Sequence, residues 1–344
     1  MSHFTVLARF NEEQSKNIAD FFSKSPALGN QLVKEYLKEK LLPFCENTKD
    51  LPPQYVEFHV DAKNEDVEKE FNEGTFSEDY WEKDKVKVDG KTVYKKSFKE
   101  IYGTLENFVK KHHGYNSHNG QWGHFMNPNA KWDWWVLGGR WIGSLPVKPN
   151  AIGCMDSETI KSHEKYPDMY GPVPDKQAVD FCRVGDFDFD IYEKEALKDI
   201  DGFIEKYDEL KLIENKQNLT EAEVKFRNDN FFFSETLAKL GIRKLINNED
   251  GTPVMDGDYQ KFSDPVFEDV AFDKQYLLDR MHLFTFSTYA ILTENNEWIA
   301  PGEMGWFGIS NDAINDYDAF KKGYKDIALK GPDNTIIAII DCHI

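Results

Sequence analysis

Four of the eight tryptophans of the chain fall between Asn127 and Trp141, in NPNAKWDWWVLGGRW, among Lys131, Asp133 and Arg140. Tryptophan combines a large rigid apolar body with one N–H donor, so such a cluster suits a stiff pocket charged at chosen points. Alternation along an extended strand would put Trp132 and Trp134 on one side, and Asp133 and Trp135 on the other. Gly138 and Gly139 permit positive φ or close backbone approach, and Arg140 offers a planar fork for a phosphate or carboxylate. The predicted ligand-binding set is Lys131, Trp132, Asp133, Trp134, Gly138, Gly139, Arg140 and Trp141, with Trp306 from the later GEMGWFG segment. The alternative is a Trp-rich core in which Asp133 and Arg140 pair internally.

A second constellation lies at the chain ends, where His3 nearly opens the sequence and Asp341-Cys342-His343 nearly closes it. If the first and last strands pair antiparallel, His3 meets the end of the last strand, and Asp341 and His343 share a face that Cys342 does not. Two imidazoles and a carboxylate are weak metal candidates, or they supply a base oriented by an acid. The candidate catalytic residues are therefore His3, Asp133, Asp341 and His343. A frayed C-terminus with a solvated His343 is the plainer alternative.

His112, His113, His118 and His124 precede the Trp segment without HxxxH or HxH spacing, and are expected in loops near the pocket mouth. Asp186, Asp188 and Asp190 alternate with phenylalanines in GDFDFD. That run lacks the glycine and distal glutamate of a calcium loop, so an exposed strand or a helix entry is expected. The sequence has no P-loop, GxSxG or HExxH. No cofactor is identified.

The elements that must position these residues follow from apolar spacing. His3–Phe10 predicts a strand, and Asn11–Leu42 two helices broken near Pro26. Tyr55–Val60 reads as a strand and Val86–Tyr94 as a hairpin turning at Asp89-Gly90, with a charged, mobile stretch from Ala62 to Lys85 between them. Ser97–His112 reads as a helix capped at Gly114. A mostly helical segment follows from Tyr192 to Leu245, with Thr220 as an N-cap. Leu283–Thr293, the turn at Asn295-Asn296, a helix from Asp312 to Leu329 and a strand from Thr335 to Cys342 complete a β-β-α-β pattern. The expectation is an α+β fold: a small antiparallel or mixed sheet joining the N- and C-terminal strands, with helices on one face. Residues 1–174 and 246–344 would form the main domain, and 175–245 an inserted helical subdomain.

At 344 residues, 40% hydrophobic, the chain can bury a large core, and no apolar window is long enough to span a membrane. A formal charge of −19 argues against nonspecific nucleic-acid binding. Cys45, Cys154, Cys182 and Cys342 are dispersed, so free thiols and a cytoplasmic setting are expected.

With these segments in hand, the chain resembles a family of uncharacterised proteins from bacteriophages and bacterial mobile elements. The matching stretches are MSHFTVL followed by Glu12-Glu13-Gln14, NPNAKWDWWVLGGRW, GDFDF, PGEMGWFG and the closing TIIAIIDCHI. They cover under a third of the chain. Relatives run almost directly from Glu-Glu-Gln into a Leu-x-Pro-Phe segment, whereas here Leu41-Leu42-Pro43-Phe44 lies well downstream. The resemblance implies action in the cytoplasm of an infected host but names no reaction. Three functions compete: binding of a small anionic molecule such as a nucleotide, hydrolysis or transfer on a phosphorylated substrate, and acidic inhibition of a host protein.

Overall fold

The computed structural model describes residues 3–74, 85–88, 91–94, 97–174, 177–214, 218–229, 255–256, 259–260, 274–302 and 314–344. Trp306 and most of GEMGWFG lie outside them, as does the Asp89-Gly90 turn. The fold is α+β, and the chain divides into two compact units, residues 1–37 with 135–344, and residues 38–134. Among the described residues no helix is long and apolar enough to cross a membrane.

The larger unit is organised by its last strand, Ile336–His343, every residue of which is buried. The first strand, His3–Arg9, pairs with it antiparallel over seven residues, from His3 opposite His343 to Arg9 opposite Ile337. Phe181–Arg183 pairs with it antiparallel, and Trp134–Leu137 is also joined to it. On its other side the first strand runs parallel to Ala290–Leu292, which pairs with Trp298–Ile299, so the sheet is mixed. One face of these strands carries Leu7, Cys182, Ile291, Ile337 and Ile339 into a core with Phe187 and Phe189. The helix Ile314–Ala328 adds Phe320, Tyr324 and Ala328, a four-residue spacing that lays one stripe on the sheet.

Arg9 locks this packing. It is 2% exposed, donates to Glu294 at 2.9 Å, and its guanidinium reaches the carbonyls of Ile327, Ala328 and Lys330. The first two carbonyls end the helix and the third lies just beyond it, so a buried cation satisfies both their lone pairs and the helix dipole.

The expected helix pair is present as Glu12–Lys24 and Pro26–Leu41, the first opened by an Asn11/Gln14 capping box. Thr220 and Glu223 cap Glu221–Asp229 in the same reciprocal way. Two expectations fall differently. The 175–245 segment is helical over Asp190–Glu214 and Glu221–Asp229, but it counts with the larger unit, and the separate unit is 38–134. The strand expected over Leu283–Thr293 is confined to Ala290–Leu292, because Met281–Leu283 turns as a 3₁₀ helix and Thr288 bonds its own chain at the Ala290 carbonyl.

In the smaller unit, Glu57–Ala62, Gln121–Met126 and Asn116–His118 form an antiparallel sheet. Its hairpin turns at Asn119-Gly120, both at positive φ. The stretch expected to be charged and mobile contains the helix Asn64–Glu73, because Val67 and Phe71 sit one turn apart and are buried. The helix expected over Ser97–His112 is three pieces. Gly103, at φ 71°, ends Phe98–Tyr102; Leu105–Phe108 follows; and Val109–His113 is a π-helix that Gly114 caps in the left-handed conformation. Lys85–Val88 and Lys91–Tyr94 pair antiparallel as the hairpin predicted.

Arg9→Ala should lower unfolding free energy by on the order of 3 kcal/mol, since it strands buried carbonyls. Urea unfolding measures this, and a loss within the roughly 0.5 kcal/mol of a surface change would show that the helix end does not depend on Arg9.

Candidate functional site

The antiparallel ladder brings the chain ends together. His3 Nδ1 lies 2.8 Å from Asp341 Oδ1, and the His3 and His343 rings meet edge to face with centroids 5.1 Å apart. Asp341 is 2% exposed and His343 4%, so His343 is not a solvated tail. Alternation explains the grouping, because Asp341 and His343 continue the face that carries Ile337 and Ile339. The face is apolar where the helix covers it and polar at its end. Cys342 points to the opposite layer, is buried, and has its thiol raised by burial and by Asp341.

The second oxygen of Asp341 accepts from the backbone N–H of Arg140 at 3.0 Å. That bond fixes the turn Gly139–Trp141, which follows the strand Trp134–Leu137. Both glycines are obligatory there. Gly138 has φ 73° and a Cβ would stand 2.4 Å from Asp180 Oδ2; Gly139 has φ 53° and a Cβ would stand 2.2 Å from that of Asp341. Gly138 N–H donates to Ile339 O at 2.9 Å. The Arg140 side chain is exposed, and among the described residues its guanidinium makes no hydrogen bond or ion pair. Trp141 is half-buried against the core.

Sequence reasoning missed the layer that holds this turn. His163 is 2% exposed and its Nε2 lies 2.9 Å from Gly139 O, while Thr159 Oγ1 donates to Leu137 O. Both lie on one face of the helix Ser157–Lys165, whose N-cap is Asp156. Burial would raise the Asp156 carboxyl, but bonds from Asn30, Thr159 and Lys34 outweigh it and hold it below its ordinary value. Asp180, fully buried, accepts from the N–H groups of Gly143 and Asp156, each at 2.7 Å. Those bonds favour its charge, yet burial dominates, and with Asp156 nearby its pKa is pushed up to about 6. Asp156 three residues before Thr159 is a legible cap; Asp180 has no local signal.

Of the other predicted residues, Lys131, Trp132, Asp133 and Trp134 belong to the smaller unit. Trp132 is 8% exposed and donates its indole N–H to Leu41 O at 3.1 Å, whereas Trp134 is 40% exposed. The expected alternation fails because the strand begins only at Trp134. Asp133 is exposed. Asp186 accepts from Ile152 N–H, and Phe187 and Phe189 are buried, so GDFDFD is the entry to the helix Asp190–Glu214.

The histidines expected in loops lie in regular structure. His112 and His113 are in the π-helix, and His118 and His124 in strands. His124 Nδ1 is 2.5 Å from Asp61 Oδ2, with His59 on the paired strand position. His113 Nε2 is 3.0 Å from Glu70 Oε2. All four cysteines are free thiols, and burial, then Asp180 and Asp156, pushes Cys154 up to about 12. Such thiols are poor nucleophiles at neutral pH.

Asp180 generates a pH test. Its folded pKa of about 6 exceeds the ordinary 3.8, so the fold holds the proton more tightly than the unfolded chain does. The stability this contributes is complete below about pH 4 and is lost as pH rises through about 6, by up to ~3 kcal/mol. The excess stability of wild type over Asp180→Asn should therefore shrink between pH 4 and 7 in urea titrations. A gap that stays constant or widens would defeat the assignment. Gly139→Ala should be destabilising at every pH, by more than the roughly 1–2 kcal/mol of left-handed backbone alone, because the methyl collides with Asp341.

The chain matches no protein-family model, and no curated protein or solved structure is similar to it.

Proposed function

We propose that the chain is a phage or mobile-element accessory protein, acting in the host cytoplasm, that binds a small anionic ligand such as a nucleotide. The observation that carries this reading is the exposed Arg140 guanidinium, set on a backbone that a buried carboxylate clamps beside His3 and His343. The clamp fixes the backbone from which the side chain extends, and the planar fork at its end suits a phosphate or carboxylate. Trp141, Gly138 and Gly139 complete the binding set in the larger unit. Trp132, whose N–H is committed to Leu41, contributes packing to its own unit.

A specific observation favours a second reading, hydrolysis or group transfer on a phosphorylated substrate. His3 Nδ1 lies 2.8 Å from buried Asp341, a pairing that resembles an acid-oriented base. Arg140 would hold the anion that His3 acts upon.

Calorimetric titration with a panel of nucleotides and phosphorylated metabolites tests both. One ligand should bind, and Arg140→Ala should weaken it about 10- to 100-fold, the worth of a charge-assisted hydrogen bond. A silent panel, or equal affinity in Arg140→Ala, removes the binding reading. Turnover of the bound ligand that His3→Gln abolishes without loss of affinity would move the conclusion to the enzyme.

A further inference from the structure

The smaller unit holds a cluster that the Arg140 site does not use. Glu70 ends a turn of the helix Asn64–Glu73, and His112 and His113 close the π-helix Val109–His113. One ligand atom from each of the three lies within 4.8 Å of the others. We propose that Glu70, His112 and His113 form a binding site for a divalent transition-metal ion of the zinc class.

The geometry fits the chemistry. Ligands about 2.0–2.1 Å from a tetrahedral ion stand about 3.3 Å apart. His113 Nε2 and Glu70 Oε2 are already 3.0 Å apart, and the widest separation of 4.8 Å closes by about 1.5 Å of side-chain movement. Two imidazoles and one carboxylate are a donor set that zinc and its neighbours accept, with positions left over for water or a ligand. Glu70 and His112 are exposed and His113 is partly so, so an ion can enter from solvent.

The surroundings hold the ligands in place. The Phe108 ring stacks on His112 at 5.1 Å and 16°, and Tyr115 on His113 at 5.1 Å and 11°. Phe108 is fully buried in a core with Val67, Phe71, Phe98 and Val109, so the platform under the imidazoles is rigid. The Tyr102 hydroxyl lies 3.3 Å from His112 Nδ1, a contact of the kind that fixes the tautomer and plane of a ligating histidine. The π-helix has a local function in this arrangement. A wider turn reduces the angular step between successive side chains, which helps adjacent histidines face one carboxylate, and such turns recur at functional sites. Their ring centroids are 4.8 Å apart.

Zinc(II) titrated into the metal-stripped full chain should bind saturably, and cobalt(II) should give the visible absorption of a four- or five-coordinate ion. Glu70→Gln and His113→Gln, checked for folding by circular dichroism, should each weaken zinc by more than the roughly 10- to 100-fold of an outer-shell change. His59→Gln with His124→Gln should leave the affinity unchanged. The proposal is overturned if wild type binds neither ion saturably. It is overturned equally if Glu70→Gln, which keeps the shape of the side chain, binds like wild type, or if binding is lost with His59 and His124 instead.

Discussion

The antiparallel ladder between His3–Arg9 and Ile336–His343 is the constraint on which the larger unit rests. It joins residues separated by nearly the whole chain, and its last strand is buried along its full length. Burying backbone that deeply requires every N–H and C=O to be paired, and the strands on either side supply the partners. The same register sets the polar groups. Arg9, opposite Ile337, reaches the helix end, while His3, opposite His343, reaches Asp341. A one-residue slip would turn both sets to the wrong face. Register is thus specified twice over, by apolar packing in the middle of the ladder and by charge at its two ends.

The turn at Gly139–Trp141 shows how the polar end is held. Two carboxylates approach one short stretch of backbone, Asp341 at Arg140 N–H and Asp180 at Gly143 N–H, and Asp180 also accepts from the N–H of Asp156. Backbone amides are a source of positive potential that survives burial, and Asp341 and Asp180 both accept from them. The two aspartates nearest each other respond differently. Asp156 gains Lys34, Asn30 and Thr159 and keeps its charge; Asp180 has two amides, lies deeper, and holds its proton to higher pH. Burial wins at Asp180 and hydrogen bonding wins at Asp156. The glycines follow from this crowding, since any side chain at Gly138 or Gly139 would occupy the space of a carboxylate.

Much of the fold was legible because its signals are local. The Asn11 cap, the broken helix pair, the β-β-α-β close and the meeting of the two ends follow from spacing and turn residues. Gly138 and Gly139 also announced a special backbone. What sequence could not show is long-range. Asp180 and His163 act on a turn some twenty to forty residues away, and nothing adjacent marks them. The Trp run misled for a physical reason. Alternation was assumed through Trp132, but Trp132 bridges Cys45 on its own and a bend at Asp133 precedes the strand from Trp134, so Trp132 is buried with its N–H on Leu41 O and Trp134 is exposed. Gly103 broke a helix whose apolar spacing looked continuous, and that break permits the π-turn carrying His112 and His113.

The two histidine clusters differ in what their carboxylate can do. Asp341 is buried and both of its oxygens are engaged, one by His3 and one by the Arg140 amide. An ion placed there would have to displace a backbone bond that fixes the glycine turn, at the cost of leaving that amide unpaired. Its part is therefore orientation: it sets the His3 ring and the glycine turn. Glu70 is exposed, and the side chain it meets, His113, is itself a potential ligand. Burial thus separates two similar pairs: the buried carboxylate is committed to the fold, and the exposed one is open to the cation proposed above.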